Sequence, residues 1–182
     1  MSNEKSQENL IKVVIMGLEN AGKTTIVDVL ADKIRENQLS PPHMYPTKNV
    51  ERRTFSEKNV VVWDFGGQEL YRNEALSNPE SYLGYVSYAY YVVDIQDYYR
   101  FPLSLMYFMA VFPMIIKFNP NVEIIILFHK MDPNFDSNKK NLKPKFLNKA
   151  DSFIKLHKKS LEMYDTTIFE INSIKTAFDR IL

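Results

Sequence analysis

The sequence predicts an α/β fold, a mostly parallel and doubly wound sheet, and three observations predict it. Four of its strand candidates are continuous apolar runs rather than alternating ones, as strands covered on both faces must be. Helical patterns separate those runs. The first run passes through a glycine-punctuated turn directly into a helix. At 182 residues, 45% hydrophobic and 25% charged, the chain has the size and composition of one globular domain with one core.

The elements follow in order. Residues 1–9, MSNEKSQEN, are polar, carry no apolar signal core and are expected to be disordered. Ser2 stands where N-myristoylation would need glycine, so no lipid anchor is expected. Residues 11–16 are β-branched enough for a buried strand, and a helix is expected over 23–35. NVERRTFSE and NVVVWDF read as two strands joined by a tight turn at Glu57-Lys58-Asn59. Three further strands are expected at 87–94, 122–129 and 166–171. Between them lie a helix over 102–118, with Pro102 at a tolerated first-turn position, and a lysine-rich helix over 143–164. A short helix ends at Leu182. No repeat and no Gly/Ser linker interrupts this order, so residues 10–182 are expected to form one domain.

Bulk composition excludes several function classes. A net charge of +1 shows no bias toward nucleic acid. The absence of cysteine excludes disulfides, thiolate metal sites and cysteine nucleophiles, and fits a reducing cytoplasm. The most apolar run, residues 105–116, is too short to span a bilayer and contains Pro113.

The chemistry starts at Gly17-Leu18-Glu19-Asn20-Ala21-Gly22-Lys23-Thr24, which fits G-x-x-x-x-G-K-[ST] between a strand and a helix. Its glycines let the chain turn so that amides from Gly17 through Asn20, Ala21, Gly22 and Thr25 face phosphate oxygens, at the positive end of a helix. Lys23 can reach the β- and γ-phosphates, and the Thr24 hydroxyl can ligate Mg²⁺. Asp64 ends the strand VVVWD and can hold Mg²⁺ through water. In the following Gly66-Gly67-Gln68, Gly67 offers an N–H to a γ-phosphate and Gln68 can orient an attacking water. Thr47, in YPTKNVE, can place its hydroxyl on Mg²⁺ and its N–H on the γ-phosphate. Alone, a Pro-Thr in a loop is more often turn chemistry. FHKMD ends another strand; there the Asp132 carboxylate can accept two parallel hydrogen bonds, suiting the N1–H and 2-amino group of guanine, while the Lys130 stem can lie over the base.

These four ordered motifs resemble the Ras-superfamily small GTPases, nearest the Arf and Rag branches. GLENAGKTTI, PTKNVE and WDFGGQE look like Arf; HKMD and the longer segment between Asp64 and Asp94 look more like Rag. The resemblance covers about residues 10–182 and implies a Ras-like P-loop NTPase fold of six strands with helices on both faces. It further implies a GTP/GDP switch requiring Mg²⁺, with Gln68, Lys23 and Thr47 as catalytic residues. His129 stands where most relatives have Asn or Thr, and a Rag-like histidine could tie the base loop to the P-loop. The last guanine-contacting loop is expected after the strand 166–171, at Asn172 and Ser173. The segment SPPHMYP holds no arginine that could act in cis as in Gα proteins, which implies slow hydrolysis needing a partner. Activating and exchange factors and effectors are the partners implied. Two other readings stay open: a nucleotide-bound scaffold without significant hydrolysis, and a P-loop ATPase or nucleotide kinase.

Three features lie outside these motifs. Eight tyrosines fall between Tyr82 and Tyr107, expected mainly to pack with hydroxyls at the surface. The helix 102–118 is apolar nearly all round, so a homo- or heterodimer contact could cover one face. Along 139–159, Phe146, Ala150, Phe153 and Ile154, with Leu161 beyond, fall on one helical face, leaving the lysines solvated or facing an anionic membrane or acidic partner.

Overall fold

The computed structural model describes residues 10–32, 46–135 and 142–182; the expected disorder of 1–9 and the arginine-free segment 40–45 lie outside them. Six strands form one sheet: β1 (Ile11–Met16), β2 (Val50–Phe55), β3 (Val60–Phe65), β4 (Tyr88–Asp94), β5 (Glu123–His129) and β6 (Leu161–Thr166). Their spatial order is β2-β3-β1-β4-β5-β6, with β2 antiparallel to β3 and every other pairing parallel. The helices are α1 (Lys23–Leu30), α2 (Glu69–Ser77), α3 (Pro79–Leu83), α4 (Phe101–Phe118), α5 (Leu142–Leu156) and α6 (Ile171–Phe178).

Strand alternation sends successive side chains into two cores. One face carries Val14, Tyr91, Ile124, Ile126 and Phe128 against Phe108 and Phe112 of α4 and Phe146 and Ala150 of α5. The other carries Val13, Ile15, Tyr90, Val92 and Leu127 against Ile26 of α1 and Ile174 and Phe178 of α6. Both faces of β1 and β4 are therefore dry, which is why those strands read as unbroken apolar runs. The buried tyrosines keep their hydroxyls satisfied. Tyr91 donates to the Ser104 carbonyl at 2.6 Å, and Tyr90 to that of Ala177 at 2.9 Å. Tyr85, by contrast, is 93% exposed.

The segment between β3 and β4 folds into α2 and α3, two short helices that no sequence pattern marked. Lys12 anchors their end, donating to the carbonyls of Tyr82 and Gly84 at 2.9 Å each. Its ammonium also lies 3.7 Å over the ring of Trp63, and the Arg52 guanidinium lies 4.1 Å from the same ring. Burial, with Arg52 nearby, brings the Lys12 pKa down to about 8.

The structure corrects the C-terminal elements. The lysine-rich helix stops at Leu156 rather than at 164, because Lys158 takes a left-handed conformation (φ 52°). The last strand is Leu161–Thr166, not 166–171. LEMYDT is a half-exposed edge strand with two acids, so it lacks the apolar density of the inner strands. The β-branched run after it turns instead: the Phe169 N–H donates to the Thr167 hydroxyl and the Glu170 N–H to the Thr167 carbonyl. On α5, Phe146 and Ala150 are fully buried and Phe153 is half-buried, while Lys145 and Lys149 are exposed. α4 is longer than the run 105–116, at 18 residues, and its inner face is locked into the core; Leu103, Met106 and Met109 stay exposed on its outer face.

Candidate functional site

The C-terminal ends of β1, β3, β4, β5 and β6 converge on one groove. At its phosphate end the chain leaves β1 through Gly17 (φ 144°) and passes Asn20 and Gly22 in left-handed conformations before α1 starts at Lys23. No side chain among the described residues caps α1, so its N-terminal amides face the groove, where anions are favoured. Glu19, Asn20, Gly22, Lys23, Thr24, Thr25, Pro46, Thr47, Gly67 and Gln68 line a cavity of about 350 Å³. Ala21 is buried beneath the turn.

Lys23 is almost wholly buried, and its ammonium donates to the Leu18 carbonyl at 2.7 Å. Burial lowers its pKa to about 8, against the raising influence of Asp64 and Glu19. Thr24 donates to Asp64 Oδ2 at 2.6 Å; Thr47 donates to the same oxygen at 3.3 Å, and the two hydroxyl oxygens are 2.8 Å apart. The expected metal-ligating residues Thr24, Thr47 and Asp64 are thus gathered by contacts among themselves. Asp64 is fully buried, burial raises its pKa, and its Oδ1 has no hydrogen-bond partner among the described residues. An orphaned carboxylate oxygen beside two hydroxyls is a hard oxygen set, the donor chemistry that Mg²⁺ takes.

Gly67 packs directly on the P-loop. A Cβ there would stand 2.1 Å from the Glu19 nitrogen, so only glycine fits. The Glu19 N–H donates to the Gly67 carbonyl at 3.0 Å, and the buried Arg72 guanidinium donates to the same oxygen. Gln68 is exposed in an extended conformation at the start of α2, bordering the cavity. Sequence reasoning looked for an arginine before Thr47 and missed two others. Arg72 of α2 and Arg100 both pair with Glu19, at 3.5 and 2.8 Å. The only local signal was that α2 places Arg72 one turn beyond Gln68.

At the base end His129 ends β5, buried, with its Nδ1 2.9 Å from the Thr166 hydroxyl of β6. Its ring also lies against Gly22, where a Cβ would stand 2.5 Å from Cδ2. The histidine therefore joins β5, β6 and the P-loop. Burial first, then the neighbouring Lys130, lowers its pKa to about 4, so it is neutral at physiological pH. Lys130 (φ 64°) donates to the Asn20 carbonyl at 2.7 Å and pairs with Asp94 at 2.6 Å. Asp132 accepts from the Thr167 hydroxyl at 2.7 Å through Oδ1 and from Gln96 at 2.8 Å through Oδ2.

Asn172 and Ser173 are corrected: both lie in the first turn of α6, because β6 ends six to seven residues before them. Residues 167–170 follow β6 and present Thr167 to Asp132. Asn172 is exposed and contributes no contact at this site among the described residues. Ser173 acts from below, its hydroxyl accepting the Thr167 N–H at 3.0 Å and donating to the Glu170 carbonyl at 2.6 Å. Thr167 could have been found from a correct end of β6, whereas Gln96 carries no motif.

Comparison with known proteins follows the same lines. The conserved-region model of the Gtr1/RagA G protein matches residues 12–182. Ras-related GTP-binding protein C of Homo sapiens is 25% identical over 177 residues, covering 94% of this chain and 43% of that protein. This chain thus spans less than half the length of that relative. The ADP-ribosylation factor-like protein alp41 of Schizosaccharomyces pombe is 33% identical over 73 residues, 40% of this chain and 37% of its own. The solved structure of the Arl6 BBS3 small GTPase from Trypanosoma brucei, with bound nucleotide analogue GppNp, matches with a TM-score of 0.68 at 19% identity. It covers 94% of both chains and shows the shared fold, six strands with helices on both faces.

Proposed function

This chain belongs to the Gtr1/RagA G-protein family, and on that premise we propose that it is a GTP/GDP switch that hydrolyses GTP slowly and reaches full rate only with a protein partner. One observation carries the reading. A buried lysine with two hydroxyls around a buried carboxylate lies at one end of a groove, and an aspartate flanked by two donors lies at the other.

In this reading the P-loop amides and the Lys23 ammonium bind the phosphate chain, and nucleotide oxygens replace the Leu18 carbonyl as the Lys23 acceptor. Thr24, Thr47 and Asp64 would hold Mg²⁺, which neutralises charge developing on the phosphates. Gln68, exposed at the cavity edge, orients the attacking water. Asp132 reads the N1–H and 2-amino group, and His129 keeps base loop and P-loop in register. Arg72 and Arg100 are held by Glu19, leaving the developing charge to an arginine from outside, a contribution of roughly 10³–10⁵ in rate. Loss of the γ-phosphate would release Thr47 and Gly67, the contacts on which the two nucleotide states differ. The proposal extends to exchange factors, activators and effectors as partners and, on the cysteine-free composition, to the cytoplasm.

The test is to identify the nucleotide that copurifies with the protein, then to compare single-turnover hydrolysis of GTP by wild type and Gln68→Leu. Guanine nucleotide with a wild-type rate below about 10⁻² per second, lowered further by the substitution, is expected. Equal, near-zero rates would replace the switch by a nucleotide-bound scaffold, and copurifying ATP would remove the guanine reading.

A further inference from the structure

The contacts around Asp132 point to a residue outside every motif. Gln96 lies in the turn after β4, and its Nε2 donates both to the Lys130 carbonyl and to Asp132 Oδ2, at 2.8 Å each. Both partners are acceptors, so the amide must present its nitrogen, and a primary amide has two N–H groups to give. Gln96 is itself held in place. Its backbone N–H donates to Asp94 Oδ1 at 2.9 Å, and the other oxygen of Asp94 takes the Lys130 ammonium at 2.6 Å. The ends of β4 and β5 are thus clasped twice, by Asp94 with Lys130 and by Gln96 with Asp132.

A carboxylate offers about four lone-pair sites over two oxygens. Thr167 takes one on Oδ1 and Gln96 one on Oδ2, which leaves one on each oxygen. Those two remaining acceptors, side by side, suit the adjacent N1–H and 2-amino donors of a 2-amino-6-oxopurine. Carboxylate torsions about Cβ–Cγ are otherwise broad and shallow. A donor fixed to each oxygen sets the plane before the base arrives, and that orientation need not be acquired on binding. We propose that Gln96 is a positioning residue for base specificity, holding Asp132 in the plane that reads the purine 2-amino group. The inference rests on the nucleotide-binding function proposed above.

The experiment compares equilibrium dissociation constants for GDP and IDP, which lacks the 2-amino group, in wild type, Gln96→Ala and Gln96→Glu with Mg²⁺ present. Gln96→Ala should weaken GDP about tenfold, the scale of one hydrogen bond to a charged group, and IDP clearly less, so that the GDP preference contracts. Thermal unfolding without nucleotide should shift only slightly, because Gln96 is exposed and the Asp94–Lys130 pair still joins the two strand ends. Gln96→Glu keeps the shape but sets an acceptor against Asp132. It should bind GDP more weakly than Gln96→Ala, because like charges then face each other across the position that the purine donors approach. Wild-type binding of GDP with an unchanged GDP/IDP ratio in both variants, or a parallel loss of both nucleotides, overturns the role of Gln96 while leaving the nucleotide site standing. A wild type that binds neither nucleotide overturns the function and this inference together.

Discussion

At the phosphate end of the groove the holding groups are backbone amides, set by Gly17, Asn20 and Gly22 in conformations that few other residues adopt, and a single buried lysine. At the base end they are side chains: Asp132 between Thr167 and Gln96, Lys130 against Asp94, His129 against Thr166. The first end grips whatever carries phosphates and is nearly indifferent to the rest of the ligand. The second distinguishes one base from another, and its geometry depends on four loops keeping their relative positions. Affinity and identity are thus divided between two kinds of structure, coupled where the His129 ring meets Gly22.

The sharpest break between the two ends should come from Lys23→Ala. Removing the buried ammonium should weaken GDP and IDP alike by about 10³, since two or so charge-assisted hydrogen bonds are lost whatever the base. Titration calorimetry with both nucleotides checks it, and a base-dependent loss would contradict the division. Asp132→Ala should act in the other way, weakening GDP by about 10² and abolishing its preference over IDP, because two hydrogen bonds to a charged acceptor disappear. Competition of both nucleotides against a fluorescent GDP analogue measures that preference.

The smallest effect sharpens the coupling between the ends. His129 is held below its ordinary pKa, at about 4, chiefly by burial, so the unfolded chain takes up a proton at higher pH than the folded one. Its contribution to stability is complete above about pH 6.5 and is lost as pH falls toward 4. Between pH 7.5 and 5 the wild type should lose about 2 kcal/mol more than His129→Asn, measured by urea unfolding at both values. An equal loss in the two proteins would mean that His129 is not held neutral in the fold.

The two ends also differ in how readily they were read from sequence. Gly17, Gly22, Lys23 and Thr24 lie within eight residues, and local conformation alone requires their spacing, so the motif is self-contained. Asp64 lies near the end of β3, whose apolar run was unmistakable, and Gly67 follows that strand. β1, β4 and β5 were legible for the same reason, and β2 through the tight turn that joins it to β3. β6 was not, because Leu161, Glu162, Met163 and Asp165 lie on a sheet edge where neither face demands a continuous apolar run. That displaced the last loop from residues 167–170 onto Asn172 and Ser173. Gln96 and Arg72 were beyond reach on other grounds. Gln96 meets Asp132 thirty-six residues away, and Arg72 meets Glu19 fifty-three away, contacts that only the folded sheet creates.

Trp63 is the one tryptophan in the chain, and it sits on β3 immediately before Asp64, half-exposed between the Lys12 ammonium and the Arg52 guanidinium. An indole's emission responds to charge placed over its ring. These two cations reach it from different strands, β1 and β2. Any sliding of the β2–β3 hairpin relative to β1 would change the distance of one cation and not the other. The protein therefore carries an intrinsic fluorophore on the strand pair joining Thr47 to Asp64, and its colour and brightness can report hairpin displacement without an attached dye.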